Sequence, residues 1–292
     1  SKIRPDLLHC TSNTAPIHCP VPLVLTLHDI IFLEPRQGGN RSWYQNMGWY
    51  YRRMVVPRIL SQCEKIITVS HFECNRIREA LQLPKDKITA IYNGYSEHFR
   101  PLSETLSITR KYIDDDDYIF FLGNTDPKKN VARTLKAYSL YLKQSDKKRP
   151  LLIADLSKDK LDAILREQQI EEIKPYLSYP GYIPNKDLAY LYNGAFVFLY
   201  TSLRESFGIP MLEAMACGTP VITGNTSAMP EIAGEGGILV NSLNAKEIAE
   251  KILYLEQDQI FYQNQIKYGL NRVQKFSWAQ TAENLLSLYK TI

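Results

Sequence analysis

One segment, residues 196–223, restricts the possible folds of this chain more than any other. The apolar run Phe196–Tyr200 predicts a buried strand, and Val221–Thr223 predicts a second one. Between them, Pro210 is typical of the first turn of a helix, and Gly218 of the position just after one. The segment therefore predicts a strand, a tight loop, a short helix and a strand, which is the repeating unit of parallel α/β sheets.

Short apolar runs alternate with helical patterns along the rest of the chain, whose 292 residues are enough for two domains. The further predicted strands are Leu23–Leu27, Ile66–Val69, Ile88–Tyr92, Tyr118–Gly123, Leu151–Ala154, Tyr179–Gly181 and Ile238–Val240. We therefore predict an α/β protein with parallel sheets.

The loop and helix of the first segment carry two carboxylates, Glu205 and Glu213. The loop amides of Ser206, Phe207 and Gly208 are predicted at the start of the helix, where aligned peptide dipoles favour an anion. Two carboxylates beside an anion site suit a polyhydroxylated ligand that also carries phosphate. A nucleotide-sugar is such a ligand.

The spacing of these two glutamates adds a family resemblance. Ser-Phe-Gly follows Glu205, and Ala-x-Ala-x-Gly-x-Pro-Val-Ile follows Glu213. This block resembles the retaining glycosyltransferases of family 4, which have the GT-B fold of two Rossmann-like domains. The resemblance implies that Glu205 contacts the hydroxyls of the donor sugar near the reacting carbon, and that Glu213 binds the ribose hydroxyls of the nucleotide. Solvated glutamates around an ordinary turn would explain either residue alone, but not the whole block.

The segment Gly123–Asn130 resembles the family's Gly-Arg-Leu-x-x-x-Lys-Gly loop, whose cations bind the pyrophosphate of the sugar donor. Lys129 matches the lysine and is assigned to stabilising the departing nucleoside diphosphate. Asn124 stands where arginine is usual, although related transferases have a Pro-(Arg/Lys)-Lys-Asn version of this loop. Arg204 or Arg133 could supply the missing charge.

Four more residues are predicted to belong to the site. His28 follows a predicted strand and matches a family histidine that contacts the donor sugar near its 6-hydroxyl, facing Glu205 across the cleft. A lone histidine at a strand end is more often structural. Tyr182 and Ile183 match the segment that holds the nucleobase, and Ser227 is predicted to line the outer part of the pocket.

The resemblance also implies the domain organisation. Residues 1–100 are predicted to form an acceptor-side domain, residues 101–276 the domain that binds the nucleotide-sugar, and residues 277–292 a helix that crosses back to the first domain. The glycine-rich loop that follows the first strand in family-4 enzymes is not seen, so we expect the first domain to be incomplete. A truncated chain, a partial gene product and an abbreviated family member all fit this expectation.

Composition excludes some classes of function. The net charge of +4 favours anionic partners such as nucleotides or a membrane surface, and is too small to indicate nucleic acid. Five irregularly spaced cysteines predict reduced thiols in a cytoplasmic protein. We expect no metal, because the His-Cys pairs at 9–10 and 18–19 match no usual ligand spacing and Asp114–Asp117 reads as a solvated turn. No other cofactor is expected, and no apolar run approaches the roughly 20 residues of a membrane span.

The predicted helix Trp43–Gln62 is rich in aromatic and basic residues. Its aromatic side chains can pack on the sheet while the arginines stay solvated, and we favour this interpretation. Alternatively, the helix can dock at an anionic membrane surface, where lipid-linked sugar acceptors reside.

Together these features predict a retaining glycosyltransferase that moves a hexose to a glycan or lipid-linked glycan. The Lys-Lys-Asn loop is most similar to mannosyltransferases that use GDP-mannose, and synthesis of a bacterial surface polysaccharide such as lipopolysaccharide is the expected setting. The alternative is a catalytically silent, partner-binding subunit, which Asn124 favours and the intact pair Glu205 and Glu213 opposes. A different GT-B enzyme, such as a sugar-nucleotide epimerase, fits the two-glutamate block less well.

Overall fold

The structure is a computed structural model that describes residues 5–33 and 43–292. The chain forms two compact units, residues 1–93 with 279–292, and residues 94–278. The predicted boundary at residue 100 lies seven residues after this division. Residues 94–102 pack with the second unit, since Phe99 is buried against Tyr192 and the Leu102 amide donates to Asn193 Oδ1 at 2.8 Å.

The first unit contains a four-stranded parallel sheet in the order β1-β2-β3-β4. Its strands are β1 (Leu8–Cys10), β2 (Leu23–Thr26), β3 (Cys63–Thr68) and β4 (Ile88–Ala90). Its helices are α1 (Trp43–Gln62) and α2 (His71–Leu81). β2 is buried along its whole length, as its predominantly apolar sequence predicts. β1 is too short to be recognised from an apolar pattern, and the sequence did not predict it.

The last helix of the chain, α11 (Trp278–Tyr289), packs on this first sheet. Its Leu285, Leu288 and Tyr289 contact an apolar cluster on the strands. The Thr281 hydroxyl donates to the Tyr92 carbonyl at 2.7 Å, and the Tyr289 hydroxyl lies 2.5 Å from His9 Nδ1. The segment predicted to cross back, 277–292, therefore has most of its residues in the first unit.

The second unit is built on a six-stranded parallel sheet in the order β10-β9-β8-β5-β6-β7. Its strands are β5 (Tyr118–Leu122), β6 (Leu151–Ala154), β7 (Leu177–Gly181), β8 (Ala195–Tyr200), β9 (Val221–Gly224) and β10 (Gly237–Val240). The helices are α3 (Leu106–Thr109), α4 (Val131–Leu142), α5 (Lys158–Gln168), α6 (Asn185–Gly194), α7 (Ile209–Ala216), α8 (Met229–Ala233), α9 (Ala245–Gln257) and α10 (Gln259–Val273). One large apolar core, formed by the strands with α4, α5 and α9, holds these layers together.

A partly buried ion cluster lies at the end of this sheet where the strands begin. Arg149, which precedes β6, donates through Nε to Asp117 and through Nη1 to Glu256, both at 2.5 Å. The Arg149 guanidinium also lies 3.7 Å from the ring centroid of Phe196. The side chains of Arg149 and Glu256 are only 5% and 8% exposed, so removing Arg149 would leave the Glu256 carboxylate buried without this cation.

The strand order defines where a ligand can enter. From β5 the chain moves outward through β6 and β7, and then returns to the other side of β5 with β8, β9 and β10. β5 and β8 are therefore neighbours, with Phe121 opposite Leu199. The strand order reverses between them, and open α/β sheets usually bind a ligand in the crevice outside the carboxyl ends of the strands at such a point, so the loops after β5 and β8 define the candidate crevice.

Candidate functional site

The two loops at this crevice are joined by hydrogen bonds. The Leu203 amide, after β8, donates to the Lys128 carbonyl, after β5, at 2.7 Å. Asn130 has a left-handed backbone (φ 58°), and its side-chain amide donates to the carbonyls of Thr201 and Ser242 at 3.1 and 2.7 Å. These bonds fix the β5 loop against the β8 loop.

An ion pair joins the two predicted catalytic residues of this unit. Lys129 Nζ lies 2.7 Å from Glu205 Oε1, and the two side chains are 15% and 12% exposed. The Glu205 amide donates to the Ser227 hydroxyl at 3.0 Å, which fixes the backbone that carries the carboxylate. The structure thus brings Lys129 and Glu205 together, as their positions at adjacent strand ends require.

Tyr200, the last residue of β8, supports both members of this pair. Lys129 Nζ lies 5.0 Å from the centroid of the Tyr200 ring, close enough for a cation–π interaction. The Tyr200 hydroxyl hydrogen-bonds the Glu205 carboxylate. Burial raises the pKa of Tyr200 well above its usual value, so the phenol is protonated and donates. Sequence reasoning missed Tyr200, although an aromatic residue at the carboxyl end of a strand beside the glutamate loop is a usable signal.

Asn124 shapes the loop that carries Lys129. Its Oδ1 accepts from the Asp126 amide at 2.8 Å, and Asp126 Oδ1 in turn accepts from the Lys128 amide at 3.0 Å. These side-chain-to-backbone turns are typical of Asn and Asp in tight loops. Arg204 is partly buried in the opposite loop, directly before Glu205, and its contribution of a second cation stays a prediction.

Glu213 lies in the second turn of α7 and is partly buried. Desolvation raises the pKa of its carboxyl to about 7, and the hydrogen bond from the Tyr192 hydroxyl, at 3.4 Å, opposes this shift. Both the Glu213 and Glu205 carboxylates raise the pKa of Tyr200, so both act on the same phenol. Sequence reasoning missed Tyr192, because its contact with Glu213 depends on how α6 packs against α7.

The loop 206–208 turns sharply into α7. Gly208 has φ 103°, a conformation that strongly favours glycine, and a Cβ there would lie 2.6 Å from Met211 Cε. Phe207 is buried and packs edge-to-face on Phe276 at 5.9 Å, so only its backbone can contribute to a site. Ser206 is partly buried, and its role stays a prediction.

The other predicted site residues lie outside the loops after β5 and β8. Tyr182 follows β7 and is 77% exposed, whereas Ile183 is buried. His28 belongs to the first unit, two residues after β2. Its amide donates to Asn13 Oδ1 at 2.8 Å and its Nε2 donates to the Thr11 carbonyl at 3.0 Å. These bonds fix the His28 ring, and its catalytic role stays a prediction.

Family models match most of the chain. Residues 106–272 match the model described as glycosyl transferases group 1, and residues 1–98 match the model described as glycosyltransferase family 4. The chain belongs to the group 1 glycosyltransferases. The family resemblance predicted from the two-glutamate block is thereby confirmed.

Curated relatives of this glycosyltransferase include two proteins of Escherichia coli. The O-antigen chain mannosyltransferase B is 29% identical over 273 residues, which cover 92% of this chain and 70% of that protein. The serotype-specific mannosyltransferase WbdA is 27% identical, with 97% of this chain and 36% of that protein covered. This chain therefore spans little more than a third of WbdA.

Solved structures confirm the predicted GT-B fold. Anabaena Alr3699/HepE, determined in complex with UDP and glucose, has a TM-score of 0.76 at 18% identity, over 93% of this chain and 72% of that one. The sucrose-phosphate synthase of Thermosynechococcus elongatus has a TM-score of 0.74 at 22% identity, over 93% of this chain and 68% of that one.

The described part of this glycosyltransferase contains neither a cluster of metal-binding side chains nor a helix that could span a membrane. Within residues 5–33 and 43–292, no three His, Cys, Asp or Glu side chains are grouped so that they could hold a metal ion. None of the described helices combines the length and the apolar character that crossing a membrane requires.

Proposed function

We propose that this glycosyltransferase transfers mannose from GDP-mannose, with retention of configuration, to a glycan or lipid-linked glycan. The observation that carries the proposal is the Lys129–Glu205 pair at the crevice between β5 and β8. The names of the mannosyltransferase relatives support the choice of sugar, and the neighbour that binds UDP and glucose supports a nucleotide-linked donor.

Lys129 is proposed to bind the diphosphate of the sugar donor. In the structure its ammonium group is neutralised by Glu205 and lies over the Tyr200 ring, in a site with little solvent. A phosphate oxygen can replace the carboxylate as its partner, so the charge of Lys129 becomes available as the leaving diphosphate gains negative charge. The proposal needs no metal for this step, and activity in the presence of EDTA is the corresponding expectation.

Glu205 is proposed to stabilise the other half of the transition state. When Lys129 turns to the diphosphate, the Glu205 carboxylate keeps its hydrogen bond from the Tyr200 hydroxyl. A fixed carboxylate near the reacting carbon favours the positive charge of an oxocarbenium ion. The acceptor hydroxyl would then attack the reacting carbon from the face that the diphosphate leaves and give its proton to the departing diphosphate, which retains the configuration.

Glu213 is proposed to bind the ribose hydroxyls, and the loop 206–208 to contact the phosphates at the start of α7. Tyr182 and Ile183 are proposed to flank the base. His28, Asn124 and Arg204 complete the proposed set, with the roles that the family resemblance implies. All five cysteines are free thiols, which supports action in a reducing compartment such as the cytoplasm.

A thermal-shift titration tests this proposal. The protein is melted with GDP, UDP, ADP and their sugar conjugates, and release of the nucleoside diphosphate is measured in parallel. A ligand at a hundred times its dissociation constant stabilises the protein by about 2.7 kcal/mol, a shift of several degrees. We expect GDP-mannose to raise the melting temperature of the wild type most. The increase should be smaller in Glu213→Ala, when each protein is compared with its own ligand-free form.

Glu167→Ala is the matched control, because Glu167 is an exposed glutamate on α5. Its ligand-induced shift should equal that of the wild type. A preference for UDP or ADP sugars would refute the choice of donor. Binding without release of the diphosphate, with every acceptor tried, would instead favour the silent, partner-binding subunit. No shift with any nucleotide would refute the donor site itself.

A further inference from the structure

Helix α1 carries positive charge and contains no acidic residue of its own. Its 20 residues include three arginines and neither Asp nor Glu. Arg52, Arg53 and Arg58 are all exposed, and the nearest carboxylate that follows in the sequence is Glu64 on β3. Surface helices of soluble proteins usually pair such cations with acidic residues one turn away. The surface of α1 is therefore suited to an anionic partner.

The same helix exposes large apolar side chains on one face. They are Met47 (47% exposed), Tyr50 (57%), Tyr51 (51%) and Met54 (62%). Their positions i, i+3, i+4 and i+7 form one stripe along the helix, and Arg58 extends it by another turn. The opposite face holds the residues that α1 buries in the core of the first unit: Val55, Val56, Ile59 and Leu60.

Some aromatic residues of α1 fit the interpretation that they pack on the sheet, and others fit the interpretation that the helix docks at a surface. Trp49 packs against the core, as favoured from the sequence, and the Arg53 guanidinium lies 4.8 Å from its ring centroid. The prediction that the aromatics pack on the sheet is wrong for Tyr50 and Tyr51, which project from the other face. Burying them on the sheet would expose the valines and isoleucine that face it.

An extended, anionic and partly apolar surface fits this combination. A helix of 20 residues is about 30 Å long, and its exposed Met and Tyr side chains can enter the boundary between headgroups and acyl chains while the arginines contact phosphates. A second copy of the same face would place arginine against arginine. No described helix is suited to cross the membrane, so α1 would lie along its surface.

We propose that the stripe Met47, Tyr50, Tyr51, Met54 and Arg58, flanked by Arg52 and Arg53, docks α1 on an anionic lipid surface. The proposed partner is a phospholipid membrane rather than a protein. This inference goes beyond the proposed function and does not depend on it. It concerns the first unit, and its readout needs no sugar donor.

Vesicle flotation of the full chain tests the proposal. Vesicles of phosphatidylcholine alone are compared with vesicles that also contain phosphatidylglycerol, at low and at high salt. We expect binding only to the anionic vesicles, weakened by salt. Arg52→Gln with Arg58→Gln should lower the partition constant about 25-fold, at about fivefold for each arginine. Tyr51→Ser with Met54→Ser should also weaken binding to the anionic vesicles.

Arg166→Gln is the matched control, since Arg166 is an exposed arginine on α5 in the second unit, and it should bind vesicles as the wild type does. Circular dichroism of each variant establishes that it is folded. Equal binding to neutral and anionic vesicles, no binding to either, or an equal loss in Arg166→Gln would overturn the proposal. The proposal would also be overturned if the protein bound no vesicles but self-associated, and only the stripe variants abolished that self-association. The stripe would then be a contact between two copies of the chain.

Discussion

Replacing Glu213 by glutamine should make the protein more stable at alkaline pH. Desolvation raises the pKa of this carboxyl from 4.5 to about 7 in the folded chain. Between these two values the folded state binds more protons than the unfolded state, so Glu213 lowers the free energy of unfolding as the pH rises through this window. A glutamine cannot ionise, and its oxygen can still accept the hydrogen bond from Tyr192.

The size of the effect follows from the same shift. A difference of about 2.5 pKa units corresponds to about 3 kcal/mol, which applies fully above about pH 8 and vanishes near pH 4.5. Glu213 is partly exposed, so this is an upper value. For a unit of this size 1 kcal/mol changes the melting temperature by about 2–4 °C, so Glu213→Gln should gain up to about 10 °C at about pH 8.

Differential scanning calorimetry at about pH 5 and about pH 8 measures this difference directly. Glu167→Gln, at the exposed position on α5, should show no pH-dependent gain. The reasoning would be refuted if Glu213→Gln gained the same stability at both pH values, or lost stability at the higher one. The stabilised variant should bind the sugar donor more weakly, which would make Glu213 a residue kept for function at the expense of stability.

Four further outcomes are expected. Because the ionised form of Glu213, whose pKa is about 7, is proposed to bind the ribose hydroxyls, wild-type affinity for GDP should fall about tenfold between about pH 8 and about pH 6, measured by calorimetric titration. Tyr200→Phe keeps the ring but removes the hydrogen bond to Glu205, so kcat should fall at least tenfold with little change in KM for the sugar donor. Gly208→Ala should cost about 1–2 kcal/mol of stability, because its φ is positive, and should weaken nucleotide binding in the thermal-shift assay. Arg149→Met should lower the free energy of unfolding by about 3 kcal/mol or more while the dissociation constant for GDP stays unchanged.

The fold was predicted most accurately over residues 196–223, where neighbouring residues mark the ends of the strands and the helix. β8, α7 and β9 begin or end within about one residue of their predicted bounds, because an apolar run, a proline and a glycine mark each boundary. β1 was missed because its three residues carry no periodicity, and it becomes a strand only through pairing with β2. Its formation depends on a contact distant in sequence, which no local pattern encodes.

The candidate site also has one contact that the sequence predicts and others that it does not. The approach of Lys129 to Glu205 follows from two strand ends that a parallel sheet brings to one edge. The hydroxyls of Tyr200 and Tyr192 reach Glu205 and Glu213 only through side-chain packing, so sequence reasoning did not find them. For α1, the sequence identified the helix and its charge, but only the three-dimensional core determines which face remains exposed.

The adjacency of β5 and β8 has a consequence for how enzymes of this kind can diversify. The spacing between Lys129 and Glu205 is set by two hydrogen-bonded strands at the centre of a sheet, so it is insensitive to changes at the periphery. The loop after β7, which carries Tyr182, belongs to an edge strand and can change in length or sequence without moving that pair, whereas the loop after β9 is tied to it because the Ser227 hydroxyl accepts from the Glu205 amide. Recognition of the base, which is proposed for the β7 loop, can therefore evolve separately from the charged groups that are proposed to promote bond cleavage. Exchanging only this loop between relatives would be the most economical way to engineer a new base preference.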